Sequence, residues 1–385
     1  EENVQNPESK FIKRLIDYAL AKEASDIHII PKVTGTFLKI RIDGELFEHP
    51  EYICTLDQHQ IIINRLKILA KLNISEQRLP QDGAISLNSE QAYQKLRLSI
   101  MPTIYGEKAV IRLPKNDQVP SLKDLGLDNF TLQNLHACLA QQVGLIILCG
   151  PTGSGKTTTI YSALKELSNK NLCLASIEDP VEIFLPNVDQ TSIKPEITFN
   201  YQHALKNILR QDPDVLLIGE IRDRESADIA LQAALSGHLI FSSVHAGSVQ
   251  QAINRLIHLN LDASFLADAL KLIINQRLIP CLCRKCKEEL PADPRLNFSL
   301  YKAKGCAECN YIGYKERQVI SETLLINQKI RQKIAENKFS VNTRGAKSKF
   351  YRSYQNQLKK LFSLGEIDLL TYRKYSTDEQ FTLSS

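Results

Sequence analysis

The sequence has 385 residues, 43% hydrophobic and 24% charged, which is the balance of a globular chain with room for two or three cored domains. No apolar run approaches a membrane span, and Glu1-Glu2-Asn3-Val4-Gln5 lacks the basic start and apolar core of a signal peptide. These features argue against integral-membrane and exported classes and predict a cytosolic protein that reaches any membrane through partners.

The net charge of +5 is uneven, because between Ser340 and Lys374 eight Lys or Arg stand against two acids. Such a run reads first as a solvated helical face rather than an arm for nucleic acid or lipid. Nine cysteines without an export signal point to metal or buried thiols. Cys54, Cys138, Cys149 and Cys173 read as small core residues, and Cys281 is ambiguous.

Taken in order, residues 1–115 predict a small α+β domain. Phe11 to Lys22 has helical apolar spacing, Ser25–Ile30 and Thr36–Ile42 alternate as strands, and Asp43-Gly44 suits a tight hairpin turn. A helix over Gln58–Leu72 and strands over Gly83–Leu87, Lys95–Met101 and Ala109–Leu113 follow. Residues 116–123, with Pro120, read as a linker and hinge. From 124 to 275 strands and helices alternate, which predicts an open parallel sheet with strands at Leu145–Cys149, Cys173–Ile177, Val215–Ile218 and Leu239–Val244. A cysteine-rich lobe is expected over 276–320. Helices are expected in the closing 321–385 region, over Ile326–Glu336, Tyr351–Phe362 and Glu366–Tyr375.

The chemistry starts at Gly150-Pro151-Thr152-Gly153-Ser154-Gly155-Lys156-Thr157, which satisfies G-x-x-x-x-G-K-[ST] between an apolar strand and a helix. In that context the loop Gly150-Pro151-Thr152-Gly153-Ser154-Gly155-Lys156-Thr157-Thr158 can cradle phosphate through its backbone N–H groups, of which Pro151 has none. Lys156 can reach the β and γ phosphates of ATP, and Thr157 can hold Mg²⁺. Asp214-Val215-Leu216-Leu217-Ile218-Gly219-Glu220 is a buried strand ending in an acid, so Glu220 is the expected base or water-orienting residue. Arg222 and Asp223 read as an ion pair at the next helix start. Cys283-x-x-Cys286 and, nineteen residues on, Cys306-x-x-Cys309 fit a closed tetrahedral Zn²⁺ site with a structural role.

Together, Glu178-Asp179-Pro180-Val181-Glu182, Leu209-Arg210-Gln211-Asp212-Pro213-Asp214, Gly219-Glu220-Ile221-Arg222-Asp223 and Ser236-Gly237-His238-Leu239 to His245 resemble the signature boxes of the type II secretion and type IV pilus assembly ATPases. The resemblance implies an α/β fold with a RecA-like P-loop ATPase domain. It also implies a PAS-like amino-terminal domain before it, and a zinc lobe and helices after it. It implies a homohexameric motor, peripheral on the cytoplasmic side of the inner membrane, with a platform protein and a membrane-anchoring protein as partners. By the same resemblance Glu178 lies near metal and nucleotide, His238 and His245 are the paired histidines, and Arg97 and Arg112 arrive from the amino-terminal domain. Two departures stand out, since the family commonly has Arg where Lys108 and Ala84 stand. Four-cysteine lobes are similar to those of secretion and pilus-extension members, which implies filament assembly. Many members carry a further amino-terminal docking domain; the sequence opens close to the Phe11 helix, so the expectation is either a short member or a piece of a longer chain. The alternative reading is a zinc-containing nucleic-acid-binding or DNA-translocating NTPase. Absence of Trp and of a basic segment interleaved with aromatics argues against it.

Overall fold

A computed structural model describes residues 7–22, 24–42, 45–48, 55–89, 92–113, 119–193, 201–291, 294, 296–340 and 349–376. The chain divides into two compact units, Glu1–Gln118 and Val119–Ser385.

The first unit runs α1 (Pro7–Ala21), β1 (Asp26–Lys32), β2 (Gly35–Ile42), β3 (Glu45–Glu48), α2 (Leu56–Leu69), β4 (Gln81–Ser89), β5 (Ala92–Thr103) and β6 (Gly106–Arg112). Its strands form one antiparallel sheet in the order β3-β2-β1-β6-β5-β4. Alternation along the strands sends Ile27, Ile29, Leu38, Ile40, Leu98, Ile100 and Ile111 into a core that Leu15 and Ile16 of α1 and Ile63 and Leu66 of α2 complete. A capping box starts α2: the Thr55 hydroxyl accepts from the Gln58 N–H, and the Gln58 side chain accepts from the Thr55 N–H.

The second unit continues with α3 (Asn129–Gln141), β7 (Gly144–Cys149), α4 (Lys156–Leu167), β8 (Leu174–Glu178), β9 (Asp189–Ser192), α5 (Tyr201–Ile208) and β10 (Val215–Ile218). Next come α6 (Arg224–Leu235), β11 (Leu239–Val244), α7 (Val249–His258), α8 (Ala263–Ala269) and β12 (Leu270–Leu282). The chain closes with β13 (Glu288–Glu289), β14 (Tyr301–Lys302), β15 (Tyr314–Leu325), α9 (Gln328–Ala335), β16 (Tyr351–Arg352), α10 (Gln355–Ser363) and α11 (Leu369–Tyr375). One sheet carries the order β16-β15-β12-β7-β11-β10-β8-β9. From β12 to β9 the pairings are parallel, and β15 and β16 add antiparallel.

The inner strands are largely buried because both faces of the sheet are covered, and β7 and β10 are apolar along their whole length. Leu145, Ile147, Leu216, Ile218 and Ile240 pack with Ala230 of α6 and Ile253 of α7. The intervening Ile146, Leu148, Leu217 and Phe241 pack with Leu135 of α3 and Ile160 and Leu164 of α4. The result is an α/β fold with helices on both sides.

Several expectations need correction. The boundaries at 275/276 and 320/321 fall inside β12 and β15, which belong to the main sheet. Hydrogen bonding makes the two strands one long antiparallel pair that runs through both boundaries. Tyr351 does not start a helix, since Tyr351–Arg352 pairs with β15 and α10 starts at Gln355. Strands β9, β12 and β15 are not among the strands predicted from the sequence, and Cys173 is partly exposed just before β8. Asp43-Gly44, Cys54 and residues 116–118 of the expected linker lie outside the described residues.

Candidate active site and metal centre

Because β7, β8, β10 and β11 run parallel, their carboxyl ends share one edge of the sheet, where ligands of open α/β sheets bind. The loop from β7 into α4 needs its glycines. Gly150, Gly153 and Gly155 have φ of 144°, 76° and 88°, a region that L side chains rarely enter. Lys156 opens α4 and folds back, its Nζ donating to the carbonyls of Gly150 (2.9 Å) and Pro151 (3.0 Å). Burial pushes the Lys156 ammonium below its ordinary pKa. Thr157 and Thr158 follow in the first turn, both half-buried. Ser154 is buried, and its hydroxyl has no hydrogen-bond partner among the described residues.

The two acids behave differently. Glu178 ends β8 and is buried; its carboxylate accepts from Tyr161 of α4, from Ser176 (2.6 Å) and from Gln190 (3.4 Å). Burial raises its pKa above the usual carboxylate range, although these donors pull the other way. Tyr161 also accepts from the Glu182 N–H at 3.3 Å, so α4 is tied to the acidic box. Glu220 lies two residues beyond β10 and is more open. Its Oε2 accepts from Arg222 Nε at 2.8 Å, and its Oε1 lies 3.5 Å from Nε2 of the exposed His245. Arg222 also reaches Asp179 at 3.7 Å, whereas Asp223 caps α6 by accepting from the Ser226 N–H at 2.8 Å.

Glu220 and His245 thus meet at the carboxyl edge of the sheet, and His238 does not join them. His238 precedes β11, its carbonyl accepts from Gly144 at the start of β7, and its Nδ1 sits 2.9 Å from the Ala233 carbonyl. A six-residue strand separates the two histidines, about 20 Å at about 3.3 Å per residue. The predicted pair is therefore split between opposite edges of the sheet.

In the first unit, register places Ala84, Arg97, Arg112, Asp26 and Arg41 on one row across β4, β5, β6, β1 and β2. Arg97 and Arg112 face the same way and are exposed. Asp26 holds Arg112 Nε at 2.9 Å. Burial raises the Asp26 carboxyl, but Arg112 and Ser25 outweigh it, and the net shift is downward. Ala84, where the family resemblance leads one to expect arginine, is the neighbour of Arg97 in this row.

Cys283 stands just beyond β12, and Cys286, Cys306 and Cys309 join it with all four sulfurs within 4.8 Å of one another. The Cys283–Cys306, Cys286–Cys309 and Cys306–Cys309 sulfur pairs are 3.9, 3.7 and 3.8 Å apart. Four thiolates bound to one tetrahedral Zn²⁺ at about 2.3 Å would stand about 3.8 Å apart, so the donor set fits this ion. The Cys309 sulfur also accepts N–H groups from Cys306 and Gly313, each at 3.2 Å. The predicted outcome of chelation is loss of a low-temperature unfolding transition of this lobe with ADP affinity retained. Calorimetry before and after a strong chelator, paired with zinc quantification, checks it. An unchanged thermal profile after complete metal removal would refute it.

The family model described as "Type II/IV secretion system protein" matches residues 1–369. The chain belongs to this family. Among curated relatives it is 39% identical over 86% of its length to the type IV pilus assembly ATPase PilB of Thermus thermophilus, and 36% identical over 85% to the type II secretion system protein E of Klebsiella pneumoniae. It spans 38% of the first relative and 67% of the second. Among solved structures it resembles the pilus retraction motor PilT with bound ADP, at TM-score 0.68 and 26% identity over 96% of this chain and 97% of that one. The Legionella pneumophila ATPase DotB shares the fold at TM-score 0.72 and 19% identity, over 95% of each chain. No helix among the described residues of this family member is long and apolar enough to cross a membrane.

Sequence reasoning missed Tyr161, Ser176, Gln190 and Gln276, the polar residues that brace the family's acidic box and phosphate loop. Polar residues inside otherwise apolar helical or strand runs were the available signal.

Proposed function

We propose that this chain is an ATP hydrolase that works as a ring of six subunits and powers assembly of a type II secretion pseudopilus, type IV pilus or competence filament. The observation that carries the reading is the meeting of the Lys156 loop, Glu220 and His245 at one sheet edge in a member of this family. In this reading Lys156 and the N–H groups of the Gly150–Thr158 loop, Pro151 having none, hold the phosphates and Thr157 is the residue for Mg²⁺, which offsets phosphate charge when bound. Glu220 orients and deprotonates the attacking water, with Arg222 and His245 setting its position. Glu178 shapes the metal side of the site, and the charge of Arg97 and Arg112 is the further contribution to phosphate binding that the family resemblance implies. Guanidinium suits that task because it is planar and permanently charged. The missing arginine at Ala84 and the lysine at position 108 weaken that contribution relative to the usual family pattern. The zinc lobe favours the extension role. The working site is cytoplasmic, against an inner-membrane platform protein and an anchoring protein.

The test is phosphate release by the purified chain with Mg-ATP, with and without DNA, together with sedimentation in the presence of nucleotide. Expected are turnover that EDTA abolishes, no stimulation by DNA and a six-subunit species. Release no greater than that of Lys156→Ala would remove the enzyme reading. Steep DNA stimulation would favour a translocase instead.

A further inference from the structure

Three consecutive residues of β12 reach both sides of the candidate site. Asn275 pairs with Cys149 in the parallel β7–β12 register, which brings Gln276 level with Gly150 where the phosphate loop begins. The strand's period of two sends Asn275 and Arg277 to one face and Gln276 to the other. Gln276 is buried, and its Oε1 accepts from the Thr159 hydroxyl at 2.9 Å. A Cβ placed on Gly155 would stand 2.7 Å from Gln276 Nε2, and one on Gly150 would stand 2.4 Å from the Gln276 carbonyl oxygen. Two of the loop's glycines are therefore required by the close approach of Gln276 as well as by their positive φ. On the opposite face, Asn275 donates to the Cys149 sulfur (3.4 Å) and the Ala246 carbonyl (3.1 Å), and Arg277 donates to the Gly247 carbonyl (2.9 Å). Ala246 and Gly247 immediately follow His245.

We infer that Gln276 is a positioning residue for nucleotide binding: its side-chain amide fixes the first turn of α4 through Thr159, and β12 links that turn to the loop behind His245. The inference rests on the nucleotide reading proposed above. Thr159 stands three residues after Lys156 and its N–H bonds the Gly155 carbonyl. Pinning it fixes the turn that presents Lys156 and Thr157. A buried amide with its acceptor engaged has one arrangement, so the loop would be held in shape before phosphate arrives.

The test uses ADP with Mg²⁺, whose affinity is read by calorimetry without turnover, on the full chain. Gln276→Leu removes the acceptor at similar volume and is expected to weaken ADP about five- to tenfold, the scale of one lost hydrogen bond. The same variant should raise KM for ATP with kcat within about threefold. Thr159→Val should weaken ADP equally, the double variant should be no worse than either single one, and Thr159→Ser should bind within about twofold of the native chain. A purely structural role would lower Tm and leave ADP affinity of the folded protein unchanged. If Gln276→Leu does not fold, Thr159→Val decides alone. Native-like ADP affinity in the folded variants, or additive effects of the two substitutions, overturns this inference while leaving the nucleotide reading intact. Failure of the native chain to bind ADP overturns both.

Discussion

Lys156→Ala is expected to lower ATP turnover by about 10²–10³-fold or more, the scale on which a single charge-stabilising donor acts in a transition state. The side chain is buried, its ammonium is held by the Gly150 and Pro151 carbonyls, and burial depresses its pKa. A phosphate would exchange two neutral carbonyl partners for anionic oxygens, a larger gain for a partly desolvated charge than for one in water. Alanine removes that gain and leaves the two carbonyls without this donor. Pro151 is exposed and its carbonyl can be solvated, whereas Gly150 is buried and its carbonyl loses a donor at a cost of about 1–3 kcal/mol, so the expected Tm falls by a few degrees. Phosphate-release kinetics and thermal unfolding of the same preparation separate the two effects. A variant that keeps more than a tenth of native turnover would show that Lys156 does not carry the reaction.

How much of this was legible in the sequence depends on which physical signal each residue obeys. The phosphate loop was legible because three positive-φ glycines and one lysine at fixed spacing leave few alternatives. Buried parallel strands such as Leu145–Cys149 were legible because cover on both faces demands unbroken apolar runs. The cysteine cluster was legible because two short knuckles have only one economical arrangement around a metal. Long-range pairing was not. Nothing local in Leu270–Leu282 says that it pairs with Tyr314–Leu325 across the whole cysteine lobe, and a domain boundary was therefore placed inside each strand. The bracing residues were hidden for the same reason. Gln276 and Thr159 are 117 positions apart, and Tyr161 finds Glu178 only after β8 has entered the sheet beside β10. His238 shows the limit of a motif read as a line. The family resemblance groups it with His245, but the extended strand between them carries the two residues to opposite ends of β11.

The two glutamates are distinguished by what already holds them. Glu178 is enclosed by Tyr161, Ser176 and Gln190, with burial raising its pKa, so its oxygens are engaged by the protein. Glu220 is flanked by Arg222 and by His245 at the mouth of the loop, and these partners orient its carboxylate without enclosing it. Glu220→Gln keeps the shape and the hydrogen bond available to Arg222 but removes the basic oxygen. Turnover is expected to fall by about 10²–10⁴-fold, the usual contribution of a positioned general base. ATP affinity should stay within about threefold, because Lys156 and the loop N–H groups are untouched. Mixed with ATP and passed over a desalting column, the variant should retain intact ATP, whereas the native chain should retain ADP. Glu178→Gln should instead lower Tm, since a buried carboxylate with three donors would be replaced by an amide that must turn an N–H toward one of them. If Glu220→Gln hydrolyses ATP at the native rate while folded Glu178→Gln does not, the base is Glu178. The enclosure by Tyr161 would then have to open in each catalytic cycle.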